Sequence, residues 1–108
     1  MLRIIKENEI NRFHLSGDLN RVSIPRVKEN ILKSIEHETK EVEFYFEDVN
    51  KIDSPAMAMI IIVVKNLLDN NIKSKVKGLK AEHKDLATVL GLHLIAEIES
   101  EPQIPKIS

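Results

Sequence analysis

The chain has 108 residues, no cysteine, 43% hydrophobic and 31% charged residues, and 16 Lys+Arg against 17 Asp+Glu, a formal net charge of −1. That is the composition of one ordinary globular domain, large enough for a single core. It excludes a disulfide scaffold, a cysteine nucleophile and a thiolate metal site, and it provides no overall positive field to recruit nucleic acid. Aromatic residues are only 4% and tryptophan is absent, so a base-stacking platform is not expected. The N-terminus, MLRIIKENEI, has no signal-peptide run. The longest apolar stretch, Ala56–Val64, falls far short of the ~20 residues of a membrane span. These features predict a cytoplasmic chain with no direct membrane insertion.

In chain order, Leu2–Lys6 is a short apolar-rich run and Asn8-Glu9-Ile10-Asn11 a turn. In Arg12–Ser16, Phe13 and Leu15 alternate with polar residues. The pair reads as a β-hairpin, broken at Gly17-Asp18-Leu19-Asn20. A helix follows, with Ser23 as N-cap and Pro25 near its first positions. Val27, Ile31, Leu32 and Ile35 form its apolar stripe, and it fades near His37–Lys40. Glu41–Phe46 is a strand with Val42, Phe44 and Phe46 on one face and Glu41, Glu43 and Tyr45 on the other. A strand buried on both faces would be continuously apolar. The sheet is therefore expected to carry helices on one face and water or a partner on the other.

Glu47–Asp53 reads as a loop. Ser54 is placed as N-cap and Pro55 as first residue of a helix running to about Asp69. Ser74–Leu79 is a lysine-rich strand, Glu82–Leu90 a short helix closed by Gly91, and Leu94–Ile98 a last strand. The tail from Glu99 to Ser108 contains Pro102 and Pro105 and is expected to be flexible. The order predicts an α/β domain over residues 1–98, with a mixed sheet.

Chemistry-bearing patterns are sparse. His14, His37, His83 and His93 lie on separate elements with no metal-ligand spacing. No serine sits in G-x-S-x-G. Gly17, Gly78 and Gly91 are too far apart for a phosphate loop. No enzymatic activity, catalytic residue, metal or cofactor is expected. Asp18, Asp48 and Asp53 each adjoin a strand end, which suits either a Mg²⁺ site or plain turn and cap chemistry. Lys73, Lys75, Lys77, Lys80 and Lys84 suit either an edge strand protected by charge or a surface for anionic lipid or an acidic partner.

The helix from Pro55 is the most informative segment. Met57, Ile60, Ile61, Val64, Leu67 and Leu68 make its expected core stripe. Its first two turns are also apolar outside, at Ala58, Met59 and Ile62, with Val63 at the margin. A helix apolar all round is buried or meets a partner. The expected partner-binding residues are thus Pro55, Ala58, Met59, Ile62 and Val63, unless the tail at Ile104–Ile107 covers them. Ser54 lies at the edge of this patch. Phosphorylation would add about −1.5 to −2 charges there, which the helix N-terminus tolerates and the neighbouring Asp53 opposes.

Taken together, Leu15-Ser16-Gly17-Asp18-Leu19-Asn20, the strand Val42–Val49, Ile52-Asp53-Ser54-Pro55-Ala56, Lys77-Gly78-Leu79 and Leu90-Gly91-Leu92 resemble landmarks of the STAS family over about residues 1–98. The resemblance implies a STAS-like α/β fold, with a mixed four- to five-stranded sheet and about three helices mainly on one face. It also implies a non-enzymatic role in protein contacts. Ser54 falls where the family carries a phosphorylatable Ser/Thr, flanked by Asp18, Asn20 and Asp53. Pro55-Ala56 and Asn20 depart from the family pattern. Two partner classes follow. One is the ATPase of an Mla-type phospholipid ABC transporter, which the short C-terminus favours and which would hold the chain peripherally at the inner membrane. The other is the GHKL-type serine kinase and anti-sigma factor of an anti-sigma factor antagonist. A monomer or weak homodimer is expected.

Overall fold

The computed structural model describes residues 1–99. The elements run β1 (Leu2–Glu7), β2 (Ile10–Leu19), α1 (Ile24–Ser34), β3 (Glu41–Ile52), α2 (Ser54–Asp69), β4 (Lys73–Lys77), α3 (Ala81–Val89), a 3₁₀ turn (Leu92–Leu94) and β5 (Glu97–Ile98). One five-stranded sheet has the order β1-β2-β3-β4-β5. β1 and β2 are antiparallel, as a hairpin with Asn8 at φ 56° requires, and every other pair is parallel. Each parallel step needs a crossover, and α1 and α2 provide two of them. The described elements are the mixed sheet and three helices expected from the sequence. The expected tail, with its cover at Ile104–Ile107, lies outside the described residues except for Glu99, whose amide donates to Val76 O at 2.8 Å.

Strand alternation sets the layers. Phe13, Leu15, Val42, Phe44, Phe46 and Val76 point to one side and are buried against the helices. From α1 the core takes Ile24, Val27 and Ile31; from α2 it takes Ala56, Met57, Ile60, Val63, Val64 and Leu67. The phenylalanine rings pack across strands, with Phe13 and Phe44 centroids 5.3 Å apart. The other sheet face carries Arg12, His14, Glu43, Tyr45, Lys75 and Lys77, as the half-polar strand pattern predicts.

Several boundaries differ from the sequence reading. β2 does not stop at Ser16; it continues to Leu19 through register shifts at His14/Ser16 and Gly17/Asp18. Such bulges let a strand pass a residue that would otherwise break it, and Gly17 takes φ +81° there. β3 likewise continues through the expected loop to Ile52, because Gly17–Leu19 supply it with a parallel partner. The last strand is confined to Glu97–Ile98; Leu94 instead ends the 3₁₀ turn, and Ile95 and Ala96 connect the two.

The buried arc of α2 is rotated from the expected one. Ala56 and Val63 join it, while Ile61 is half-buried and Leu68 is 41% exposed. The buried positions 56, 57, 60, 63, 64 and 67 are spaced as one stripe of a 3.6-residue helix. In a helix so rich in apolar residues the pattern does not fix the stripe's centre. Packing between α1 and α3 does. Leu32 of α1 is similarly 37% exposed rather than core.

Candidate functional site at the start of α2

The site forms where β2 and β3 end together. Leu19, buried, pairs with Ile52, and the chain then enters the β2–α1 loop on one side and α2 on the other. Within the loop, Asn20 Oδ1 accepts from the amides of Val22 (2.9 Å) and Ser23 (3.0 Å), an Asx turn. Ser23 Oγ accepts from Asn20 N and donates to Asp18 O, each at 3.0 Å. Ser23 occupies the N-cap position of α1 without making a side-chain capping bond; its hydroxyl is used inside the loop.

Asp53 joins the loop to the helix. Its amide donates to Leu19 O at 3.1 Å, its Oδ1 accepts from Ala56 N at 2.9 Å, and its Oδ2 lies 3.4 Å from Arg21 N. Asp53, and not Ser54, is therefore the N-cap of α2. Asp53 is extended, at φ −90° and ψ 169°, the geometry from which a side chain reaches the amide of the third helical residue. Ser54 is already helical. It is exposed, and its hydroxyl has no hydrogen-bond partner among the described residues. Pro55, in the first helical positions, loses no needed donor.

The structure divides the expected partner-binding residues. Pro55 is exposed, Ile62 is 47% exposed, and Ala58 and Met59 are half-buried. Val63 is 2% exposed and belongs to the core. On the 3.6-residue wheel, Ser54, Pro55, Ala58 and Ile62 fall on the arc opposite Ile60 and Leu67. Val22, next in sequence to the Arg21 amide that meets Asp53, is 83% exposed. An apolar strip therefore runs outward beside a free serine hydroxyl.

Asp18, Asp48 and Asp53 do not make a cation site. Among the described residues no three His, Asp or Glu side chains converge. The histidines stay apart; His83 alone is buried, with Nδ1 lacking a partner. No helix among the described residues is long and apolar enough to cross a membrane.

The lysine strand is not an edge. β4 lies between β3 and β5, and acidic columns flank it. Lys75 meets Glu41 at 3.5 Å, and Lys77 meets Glu43 at 3.5 Å and Glu99 at 3.8 Å. Lys80 Nζ donates to Val49 O at 2.7 Å, tying the end of β3 to the start of α3. Sequence reasoning missed the network at the centre of this face. Glu43, 6% exposed, accepts from Arg12 Nε at 2.9 Å and from the Tyr45 hydroxyl at 2.7 Å. The His14 ring stacks on Tyr45 with centroids 4.4 Å apart. Burial pushes the Glu43 carboxyl upward, but the bonds from Tyr45 and Arg12 and the charge of Lys77 outweigh it and hold the group below its ordinary value. Burial and the Glu43 carboxylate together raise the Tyr45 phenol. Alternation alone could place Glu43 and Tyr45 on this face, but Arg12 and Lys77 come from β2 and β4, far from Glu43 in the chain.

Known proteins share this fold. No curated protein sequence matches the chain. Among solved structures, a putative anti-sigma factor antagonist from Thermotoga maritima superposes with a TM-score of 0.82 at 13% identity, covering 94% of this chain and 87% of that one. The Bacillus cell fate determinant SpoIIAA in its phosphorylated form gives 0.73 at 14% identity, over 94% and 93% of the two chains. The murine anion transporter Slc26a9 gives 0.75 at 5% identity, over 87% of this chain but 16% of that one. At these identities the likeness establishes the fold. The STAS domain model matches residues 2–103, nearly the whole sequence, and the chain belongs to the STAS domain family.

Proposed function

We propose that this chain is a non-enzymatic protein-interaction module of the anti-sigma factor antagonist type, switched at Ser54. The observation that carries the reading is the free, exposed Ser54 hydroxyl on a helix start held by Asp53, beside the outward strip Pro55, Ala58 and Ile62. A docking partner would cover apolar surface that nothing else among the described residues covers. A phosphate on Ser54 would put about −1.5 to −2 charges at its rim. The α2 N-terminus would stabilise the phosphate, so the modification would leave the fold intact while Asp53 and the new charge repel an apolar or acidic partner. The solved structures of the same fold include a putative anti-sigma factor antagonist and a phosphorylated cell fate determinant, and both support this reading.

The exposed apolar strip also suits a second partner, the ATPase of an Mla-type phospholipid transporter, for which Ser54 would be a constitutive contact. Tagged capture from the native cell, with mass spectrometry of the co-purifying proteins, separates the two. A serine kinase of the GHKL type or an anti-sigma factor supports the switch. An ABC ATPase with its permease replaces it by the transporter reading. Phosphate at Ser54 in the recovered chain supports the switch directly.

A further inference from the structure

Strand β1 forms an edge of the sheet that is poorly defended. It is six residues long, pairs only with β2 among the described residues, and has a continuous register without bulge or proline. Edge strands of this kind expose a row of main-chain donors and acceptors to any second strand. The other edge, β5, has only two residues.

The phase of that row follows from one bond. Ser16 N donates to Met1 O at 2.9 Å. In an antiparallel ladder, alternate residues turn both main-chain groups to the partner strand. Met1, Arg3, Ile5 and Glu7 therefore bond toward β2, and Leu2, Ile4 and Lys6 direct their N–H and C=O groups outward. By the same alternation Arg3, Ile5 and Glu7 place their side chains on the open sheet face with Arg12 and His14.

We propose that two copies of this chain pair through antiparallel β1 strands about a two-fold axis at Ile5, joining their sheets. In this register Ile4 of one copy exchanges main-chain hydrogen bonds with Lys6 of the second copy. Ile5 packs against Ile5 of the second copy on the open face. Arg3 faces Glu7 of the second copy, and symmetry repeats that pair. Charge complementarity selects this register. Arg3 is exposed and has no ion-pair partner among the described residues. Glu7 is 65% exposed and meets only Arg12, at 3.4 Å. Ile5, 40% exposed, gains a matching apolar neighbour. The one charge on the helix side, Lys6, is already paired with Glu36, so it does not repel the incoming strand. The contact lies at the sheet's edge, and α2, between α1 and α3, keeps its outward strip free.

The test is self-association of the full chain by sedimentation equilibrium, up to the solubility limit. The wild type is expected to form a dimer. Arg3→Glu or Glu7→Arg alone should weaken it by about tenfold or more, because two like-charged pairs replace two opposite ones. Mixing the two single variants should restore association. The Arg3→Glu copy is then acidic at both positions and the Glu7→Arg copy basic at both, so each pair across the interface is again of opposite charge. Ile4→Pro, which removes an outward N–H that β2 does not use, should abolish association; circular dichroism checks that each variant stays folded. A wild type that remains monomeric throughout overturns the proposal. So does a dimer indifferent to Arg3→Glu and Glu7→Arg, or a mixture no stronger than either variant alone.

Discussion

Asp53 Oδ1 accepts the amide hydrogen of Ala56 at 2.9 Å, and this one bond makes Asp53, in place of Ser54, the N-cap of α2. The consequence is functional as well as structural. A serine used as a cap would have its oxygen committed to the backbone. With Asp53 as cap, the Ser54 hydroxyl is available to a partner or a phosphate.

The cap assignment has a direct stability test. Asp53→Ala should cost about 0.5–2 kcal/mol and should also loosen the β2–α1 loop through loss of the contact with Arg21 N. Ser54→Ala should stay within about 0.5 kcal/mol of wild type. Urea unfolding of the two variants measures both. A larger loss for Ser54→Ala than for Asp53→Ala would return the cap to Ser54.

Neighbouring residues of α2 should behave oppositely. Val63→Asp buries an unpaired carboxylate where the residue is 2% exposed, and it should unfold the domain or lower its thermal midpoint severely. Ile62→Asp, 47% exposed, should leave the melting transition cooperative and nearly unshifted. Differential scanning calorimetry distinguishes them.

Glu43 gives the open face a pH dependence. Its carboxyl is held below the ordinary value in the fold, so the folded state binds this proton less readily than the unfolded chain. The stabilisation is therefore fully present above the unfolded value and is lost as pH falls through the folded one. Glu43→Gln should flatten this acid limb of stability and cost about 1–3 kcal/mol at neutral pH, because Arg12 and Lys77 lose their counter-charge. Thermal melts of both proteins from neutral to acidic pH check the sign.

Gly78 links β4 to α3 with φ +75°, and a Cβ there would lie 2.5 Å from Glu47 Cγ. Gly78→Ala should destabilise the chain by about 1–3 kcal/mol, mainly through backbone strain, since the exposed Glu47 side chain can move aside. If the strain dominates, Glu47→Ala combined with Gly78→Ala should recover little of the loss in chemical denaturation.

The alternation in Glu41–Phe46 makes the one-sided sheet legible in the sequence, and the stops at Asn70 and Gly91 locate two helix ends. The extension of β2 and β3 past Ser16 and Phe46 is not legible there. Those residues look like turn formers, and only parallel pairing between Gly17–Leu19 and Val49–Ile52 makes them strand. The misplacement of Val63 has a related cause. In Ala56–Val64 every position is apolar, so the pattern carries no phase, and contact with α1 and α3 chooses the buried arc. At the site, the family resemblance groups Asp18, Asn20, Asp53 and Ser54, and the structure ties Asp53 to the β2–α1 loop through Arg21 N. Which of Asp53 and Ser54 caps the helix depends on the extended backbone at Asp53.

Charge at position 54 should separate switching from capping. Ser54→Glu places a carboxylate at a helix N-terminus, which the dipole favours, so the variant should fold as well as Ser54→Ala. It should nevertheless bind the captured partner more weakly than Ser54→Ala does. Titration of the purified partner against both variants by isothermal calorimetry reads the difference; equal affinities would remove the switch.

The outward strip at the start of α2 is the proposed docking surface for a protein partner. The most direct measurement is quantitative capture from the native cell with wild type, Ile62→Asp and the control Val89→Asp, at a residue 82% exposed on α3. The partner recovered with wild type should be retained by Val89→Asp and lost with Ile62→Asp. Retention of the same partner by a folded Ile62→Asp variant would rule out docking at this strip.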